Sequence, residues 1–184
     1  MIPIFLSRPN PFIDIQDLFL KELTEFLLLH GMESITMKAK DYNPYESLTC
    51  LNELIKRCYG MVIVAFGQSY VEKGFSKKGA VSNKLFFDSE EKELENLWIT
   101  SPFCHIEGAI AFSNKLPLLV IEQNNVKIEG ILKNGDHAIK CPSLRLIEKK
   151  DTYTYFLNKC FIKSFHEWSQ KVIDLHGFIT RTIC

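Results

Sequence analysis

No arrangement of glycines in this 184-residue chain makes a phosphate-binding loop: neither a GxGxxG fingerprint nor a GxxxxGK[ST] segment is present. The common glycine-rich nucleotide cradles are therefore excluded. Six cysteines, Cys50, Cys58, Cys104, Cys141, Cys160 and Cys184, fall without a CxxC or any Cys/His ligand spacing, so no metal site is expected. Several lie in apolar contexts, and all six read as reduced thiols of a cytoplasmic protein. Net charge is also missing, since 22 basic residues balance 22 acidic ones. That balance removes the electrostatic footprint of a nucleic-acid or anionic-membrane binder, and it favours self-association into a homo-oligomer. Apolar runs are cut by charge or proline within about ten residues, short of the roughly 20 that a spanning helix takes. The opening Met1-Ile2-Pro3-Ile4-Phe5-Leu6 has no basic region before it and is too short for a signal sequence. No Ser/His/Asp arrangement stands out.

What is present alternates. Pro3 to Leu6 reads as a buried strand, closed by the breaker cluster Ser7-Arg8-Pro9-Asn10-Pro11. Ile15, Phe19, Leu23 and Phe26 recur at helical spacing between Ile13 and His30, with Asp14 as N-cap and Gly31 as stop. Ser34 to Lys38 reads as a second strand, and Ser47 caps a helix through Cys58 that ends at Gly60. Met61 to Phe66 is apolar at every position, as a central parallel strand covered on both faces must be. Residues 67–100 then form a long insertion, too long for a plain connection and suited to a lid or an assembly surface. Ser101-Pro102 pairs an N-cap with proline at the first helical position and opens a helix to about Asn114. Pro117 to Ile121 is another strand, Val126 to Leu132 a short helical turn, and Ser143 to Ile147 a last strand. Asp151 caps a closing helix over 151–176. The order predicts one α/β domain over 1–184, of flavodoxin-like topology, with about five parallel strands and helices on both faces.

In such sheets ligands bind beyond the carboxyl ends of the strands, where the strand order switches. That brings together the Ser7-to-Phe12 loop, the loop at Gly67 and the helix start at Ser101. Glu107 is the sharpest candidate. It lies in the small, apolar segment Ile106-Glu107-Gly108-Ala109-Ile110-Ala111, where a carboxylate is costly to desolvate unless it has work to do. A solvated helix face or an ion pair with Arg8 is the plain alternative. Ser101 is a helix cap whose neighbouring amides suit an anion. His105 sits two residues from Glu107 and points elsewhere on a helix. Arg8 suits a diphosphate, while Phe12, Phe66 and Trp98 could stack on a base, although aromatic residues more often serve the core. The acidic stretch Asp88 to Glu95 reads as a solvated loop face.

The segment Ser101-Pro102-Phe103-Cys104-His105-Ile106-Glu107 resembles the S-x-x-C-x-x-E pattern of TIR domains. The start Ile4-Phe5-Leu6-Ser7 and the tract Cys58 to Val64 resemble that family's first and third strands. Arg8-Pro9-Asn10-Pro11 replaces the usual aspartate-rich loop, and Phe103 stands where a tryptophan is usual. His105 to Ala111 followed by Leu116 to Val120 is also similar to nucleoside deoxyribosyltransferases. The resemblance spans Ile2 to about Ile147. It implies an enzyme that breaks the nicotinamide–ribose bond of NAD, with Glu107 catalytic and Ser7, Arg8, Phe12, Phe66, Trp98, Ser101 and His105 around the substrate. NAD would be substrate rather than cofactor. Stand-alone TIR proteins of this size resemble the signal-producing components of antiphage systems such as Thoeris, which make ADP-ribose-derived messengers. A nucleoside deoxyribosyltransferase-like activity, or a non-catalytic nucleotide-binding module, are the alternatives.

Overall fold

The computed structural model describes residues 1–37, 47–80, 89–133 and 138–183. Its main sheet has five strands: β1 (Ile2–Ser7), β2 (Met32–Ile35), β3 (Met61–Ala65), β6 (Leu118–Glu122) and β7 (Ala138–Lys140). All neighbours pair parallel in the order β2-β1-β3-β6-β7. Among these five the sequence order is 2-1-3-4-5, which is the flavodoxin-like arrangement, with its switch point between β1 and β3.

The alternation of a strand decides which helices it meets. Ile4, Leu6, Val62, Val64, Leu119 and Ile121 share one core with α1 (Asp14–Leu29), α4 (Lys149–Phe156) and α5 (Lys159–Ile183). Phe5, Met61, Ile63, Ala65, Leu118 and Val120 share the other with α2 (Ser47–Lys56) and α3 (Pro102–Ser113). Every residue of β3 is buried, which its uninterrupted apolar run requires. At about 1.5–3 kcal/mol for each large apolar side chain removed from water, these two layers dominate the stability.

The insertion at 67–100 contains an antiparallel ribbon, β4 (Ser69–Ser76) paired with β5 (Lys92–Ile99); residues 81–88 lie outside the described ones. Its base is rooted in the domain. Gln68 N–H donates to Ile99 O, Trp98 N–H donates to Asn125 O at 2.8 Å, and Lys127 N–H donates to Trp98 O at 2.8 Å. Part of the expected solvated acidic loop, from Lys92 to Glu95, is thus strand.

Other boundaries shift for identifiable reasons. The last strand is Ala138–Lys140, not Ser143 to Ile147; only Leu144 of that stretch reaches the sheet, through a single bridge to Gln123. Strand β2 is Met32–Ile35, starting earlier than the expected Ser34 to Lys38, of which Lys38 lies outside the described residues, because Gly31 at φ 76° turns the chain straight from α1 into the sheet. Asp14 is the first helical residue of α1 and Ile13 its N-cap. The closing helix is two helices. Glu148 caps α4, with the Asp151 carboxylate accepting from the Ile147 and Glu148 amides at 2.8 Å each. Asn158 Oδ1 then accepts from Cys160 N–H at 2.8 Å and starts α5. The described cysteines are all free thiols. Among the described residues no helix is long and apolar enough to cross a membrane, and no cluster of His, Cys, Asp or Glu could hold a metal ion.

Candidate functional site

Helix α3 begins as its sequence dictates. Pro102 occupies the first turn and the Ser101 hydroxyl accepts from Phe103 N–H at 3.2 Å. Cys104, Gly108 and Ala111 are buried and form the stripe that lies against the sheet. The approach is close: a Cβ on Gly108 would stand 3.0 Å from Ile63 Cδ1 and 3.1 Å from Ile131 Cγ2. This packing fixes the height of Glu107, the neighbour of Gly108, near Ser7 and Arg8 at the carboxyl end of β1.

Glu107 is half-buried, and its carboxyl is pushed up to about 7. Burial is the main cause; the Ser7 hydroxyl and the positive charge of Arg8 pull more weakly the other way. No second carboxylate among the described residues contributes to the shift. Ser7 is 1% exposed, at the carboxyl end of β1 and at the alternation of Phe5, so its side chain falls on the α3 face. Its Oγ is buried and completes no hydrogen bond of good geometry, although it lies near enough to Glu107 and Cys104 to influence both. Buried hydroxyls are normally paired, and the groups this one acts on are Glu107 and Cys104. The Cys104 thiol is pushed up to about 11, first by burial and then by Glu107, which leaves it an inert packing residue.

Arg8 does not form the ion pair with Glu107 that sequence alone allowed. Its guanidinium donates to Pro9 O at 3.2 Å and Asn10 Oδ1 at 3.1 Å, holding its own loop while keeping its charge near the carboxylate. Phe12 is exposed and Trp98 half-buried, with ring centroids 6.1 Å apart; Tyr70 stands 5.1 Å from Trp98. Trp98 reaches this place because Gly67 has no side chain: a Cβ there would fall 2.7 Å from Trp98 Cβ, Cγ and Cδ2.

The remaining sequence candidates go elsewhere. Phe66 is fully buried and packs edge-on against Phe19, 6.2 Å between centroids, in the α1 core. It is a core residue and offers no face to a ligand. Ser101 is buried with its hydroxyl committed to the cap. His105, about 200° around the helix from Glu107, lies near Gly130 in the 3₁₀ turn Gly130–Leu132. An open groove of about 1120 Å³ lies well away from Glu107, between the end of α3, β7 and α5, lined by Phe112, Lys115, Lys140, Lys163 and Leu175 among others. No sequence candidate lines it.

Two residues at the site were not expected. Gln16 is fully buried on α1 and Gln123 follows β6; their amides join at 3.2 Å. A polar residue three before Phe19, on an otherwise apolar helix face, was the available signal.

No family model and no curated protein matches this chain. Among solved structures it is similar to a CMP N-glycosidase of Clostridium botulinum, BcmB, at 14% identity over 85% of this chain and 99% of that one, with a TM-score of 0.42. It is also similar to a diflavin flavoprotein A3 from Nostoc sp., at 14% identity over 98% and 93%, again with a TM-score of 0.42. Both are distant, and the fold assignment rests on the strand order.

Proposed function

We propose that this protein cleaves the bond between a ribose and its base in a nucleotide, with NAD as substrate and Glu107 as the catalytic carboxylate. The observation that carries the reading is a half-buried Glu107, pushed up to about 7, beside the buried Ser7 hydroxyl at the carboxyl end of β1, at the switch point. Breaking a glycosidic bond builds positive charge at the anomeric carbon, and a desolvated carboxylate stabilises it strongly. Nicotinamide leaves NAD as a neutral base and takes no proton from the enzyme. One carboxylate therefore suffices, which matches the absence of a second acid acting on Glu107 among the described residues. The Ser7–Arg8 loop would hold the diphosphate or ribose, and Phe12 with Trp98 would receive the flat base. The Ser101-to-Glu107 resemblance to TIR domains supports NAD over other nucleotides, and with it an ADP-ribose-derived messenger in antiphage defence.

The test is NAD consumption with products identified by mass spectrometry, in wild type and Glu107→Gln. Nicotinamide release lost in the variant is expected, and the mass of the second product separates hydrolysis from messenger synthesis. Base release or exchange from nucleosides, with NAD untouched, would move the assignment to a deoxyribosyltransferase-like enzyme. Nucleotide binding without turnover in activated cells would make the protein a binding module.

A further inference from the structure

We propose that Gln16 and Gln123 are positioning residues that set the relative placement of the Phe12 and Trp98 rings, the pair assigned above to the base; this rests on that reading of the site. Gln16 Nε2 donates to Gln123 Oε1 at 3.2 Å, and the same oxygen accepts from Gly67 N–H at 3.2 Å. Gln16 Oε1 accepts from Phe12 N–H, also at 3.2 Å. Gln123 is fixed in turn by its own N–H, which donates to Ala65 O at 3.1 Å. One relay of two side-chain amides thus joins the chain after β1, after β3 and after β6.

The two backbone groups it holds are those that place the rings. Phe12 N–H belongs to the residue carrying one ring, and Gly67 is the surface on which the Trp98 ring rests. The relay is a poor way to gain stability. Each bond between these part-buried neutral groups is worth only about 1 kcal/mol net. Its advantage is geometric: Gln123 Oε1 must meet two donors at once, which fixes both loops relative to the sheet within hydrogen-bond tolerance. That suits a site in which a flat ring packs against two others, where small displacements weaken stacking.

Gln123→Met keeps the shape and removes the acceptor, and Gln16→Met removes the bond to Phe12. Gln123→Glu keeps an oxygen for both donors. Two readouts are taken on each full-length variant: the kinetics of NAD cleavage, and acrylamide quenching of tryptophan fluorescence. Quenching reports Trp98, because Trp168 is fully buried. In both Met variants KM for NAD should rise about tenfold, with kcat and the pH midpoint near 7 unchanged, and quenching should increase. Gln123→Glu should restore both readouts towards wild type. Wild-type KM and quenching in both Met variants would overturn the proposal, as would an equal fall in kcat without a change in KM. Should wild type prove inert towards NAD, the substrate reading fails, but quenching still decides the positioning role: an increase in the Met variants that Gln123→Glu reverses upholds it, and no change overturns it. Should one Met variant fail to fold, the other and Gln123→Glu give the same decision.

Discussion

Glu107 shows the signature of a group held for chemistry at a cost to folding. Its carboxyl ionises near 7 in the folded protein, against an ordinary value of 4.5. Between those two values the folded state keeps a proton that the unfolded state has released, so stability falls as pH rises across the window and is level above it. A shift of this size amounts to about 3 kcal/mol at most. Glu107→Gln removes the charged form and should therefore stabilise the protein at pH 8 by about 2–3 kcal/mol, with the gain vanishing near pH 4.5. Urea denaturation of both proteins at the two pH values measures this; equal stability at pH 8 would mean that the carboxylate is solvated after all. The same shift sets the rate. If the ionised carboxylate stabilises the developing cation, kcat/KM for NAD should fall below pH 7 in proportion to the fraction ionised. A rate that rises on acidification would assign the protonated form instead and make Glu107 a proton donor.

Two glycines position whole elements around that carboxylate, and they should respond differently to a methyl group. At Gly108 the obstacles are the side-chain tips of Ile63 and Ile131, at 3.0 and 3.1 Å. Isoleucine tips can give by a few tenths of an ångström, and alanine gains roughly 0.5–1 kcal/mol over glycine inside a helix. Gly108→Ala should therefore stay within about 1 kcal/mol of wild type. Gly108→Val overpacks the α3–β3 contact and should cost about 1–3 kcal/mol while displacing Glu107. Gly67 faces Trp98 at its Cβ, Cγ and Cδ2, each 2.7 Å away. These atoms belong to the root of a side chain whose backbone is tied to Asn125 and Lys127, so they cannot swing aside. Gly67→Ala should push the base of the ribbon outward and raise KM for NAD at least tenfold, with the pH midpoint unmoved. An unchanged KM would detach Trp98 from substrate binding.

At the scale of the molecule, the elements legible in the sequence are those whose burial is two-sided or whose caps are strong. The all-apolar run at Met61, the Ser101-Pro102 cap and the stripe through Phe19 and Leu23 each had one physical solution. The ribbon was not legible as strands, because most of β4 and β5 faces water and carries no apolar alternation. Strand β7 has three residues, too few to show a period, and its neighbour Leu144 carried the apolar signal instead. At the site, Glu107 stood out as a charge in an apolar segment, whereas the pairing of Gln16 with Gln123 spans 107 residues and no local pattern encodes it. The two-sided sheet also separates stability from chemistry. Phe161, Phe165, Trp168 and Val172 of α5 fill the core on the face away from α3, and Trp168 Nε1 donates to Pro117 O at 2.9 Å. That carbonyl also accepts from Met61 N–H at 3.0 Å, so Trp168→Phe leaves it one partner and loses mainly a bond and some volume. The expected cost is about 2 kcal/mol, read as a lower denaturation midpoint. Because the sheet lies between α5 and Glu107, the effect should add independently to those of site variants, and KM for NAD and the pH midpoint should hold. A change in either would mean that α5 packing sets the height of β1 and β3, and with it the position of Ser7 beneath Glu107.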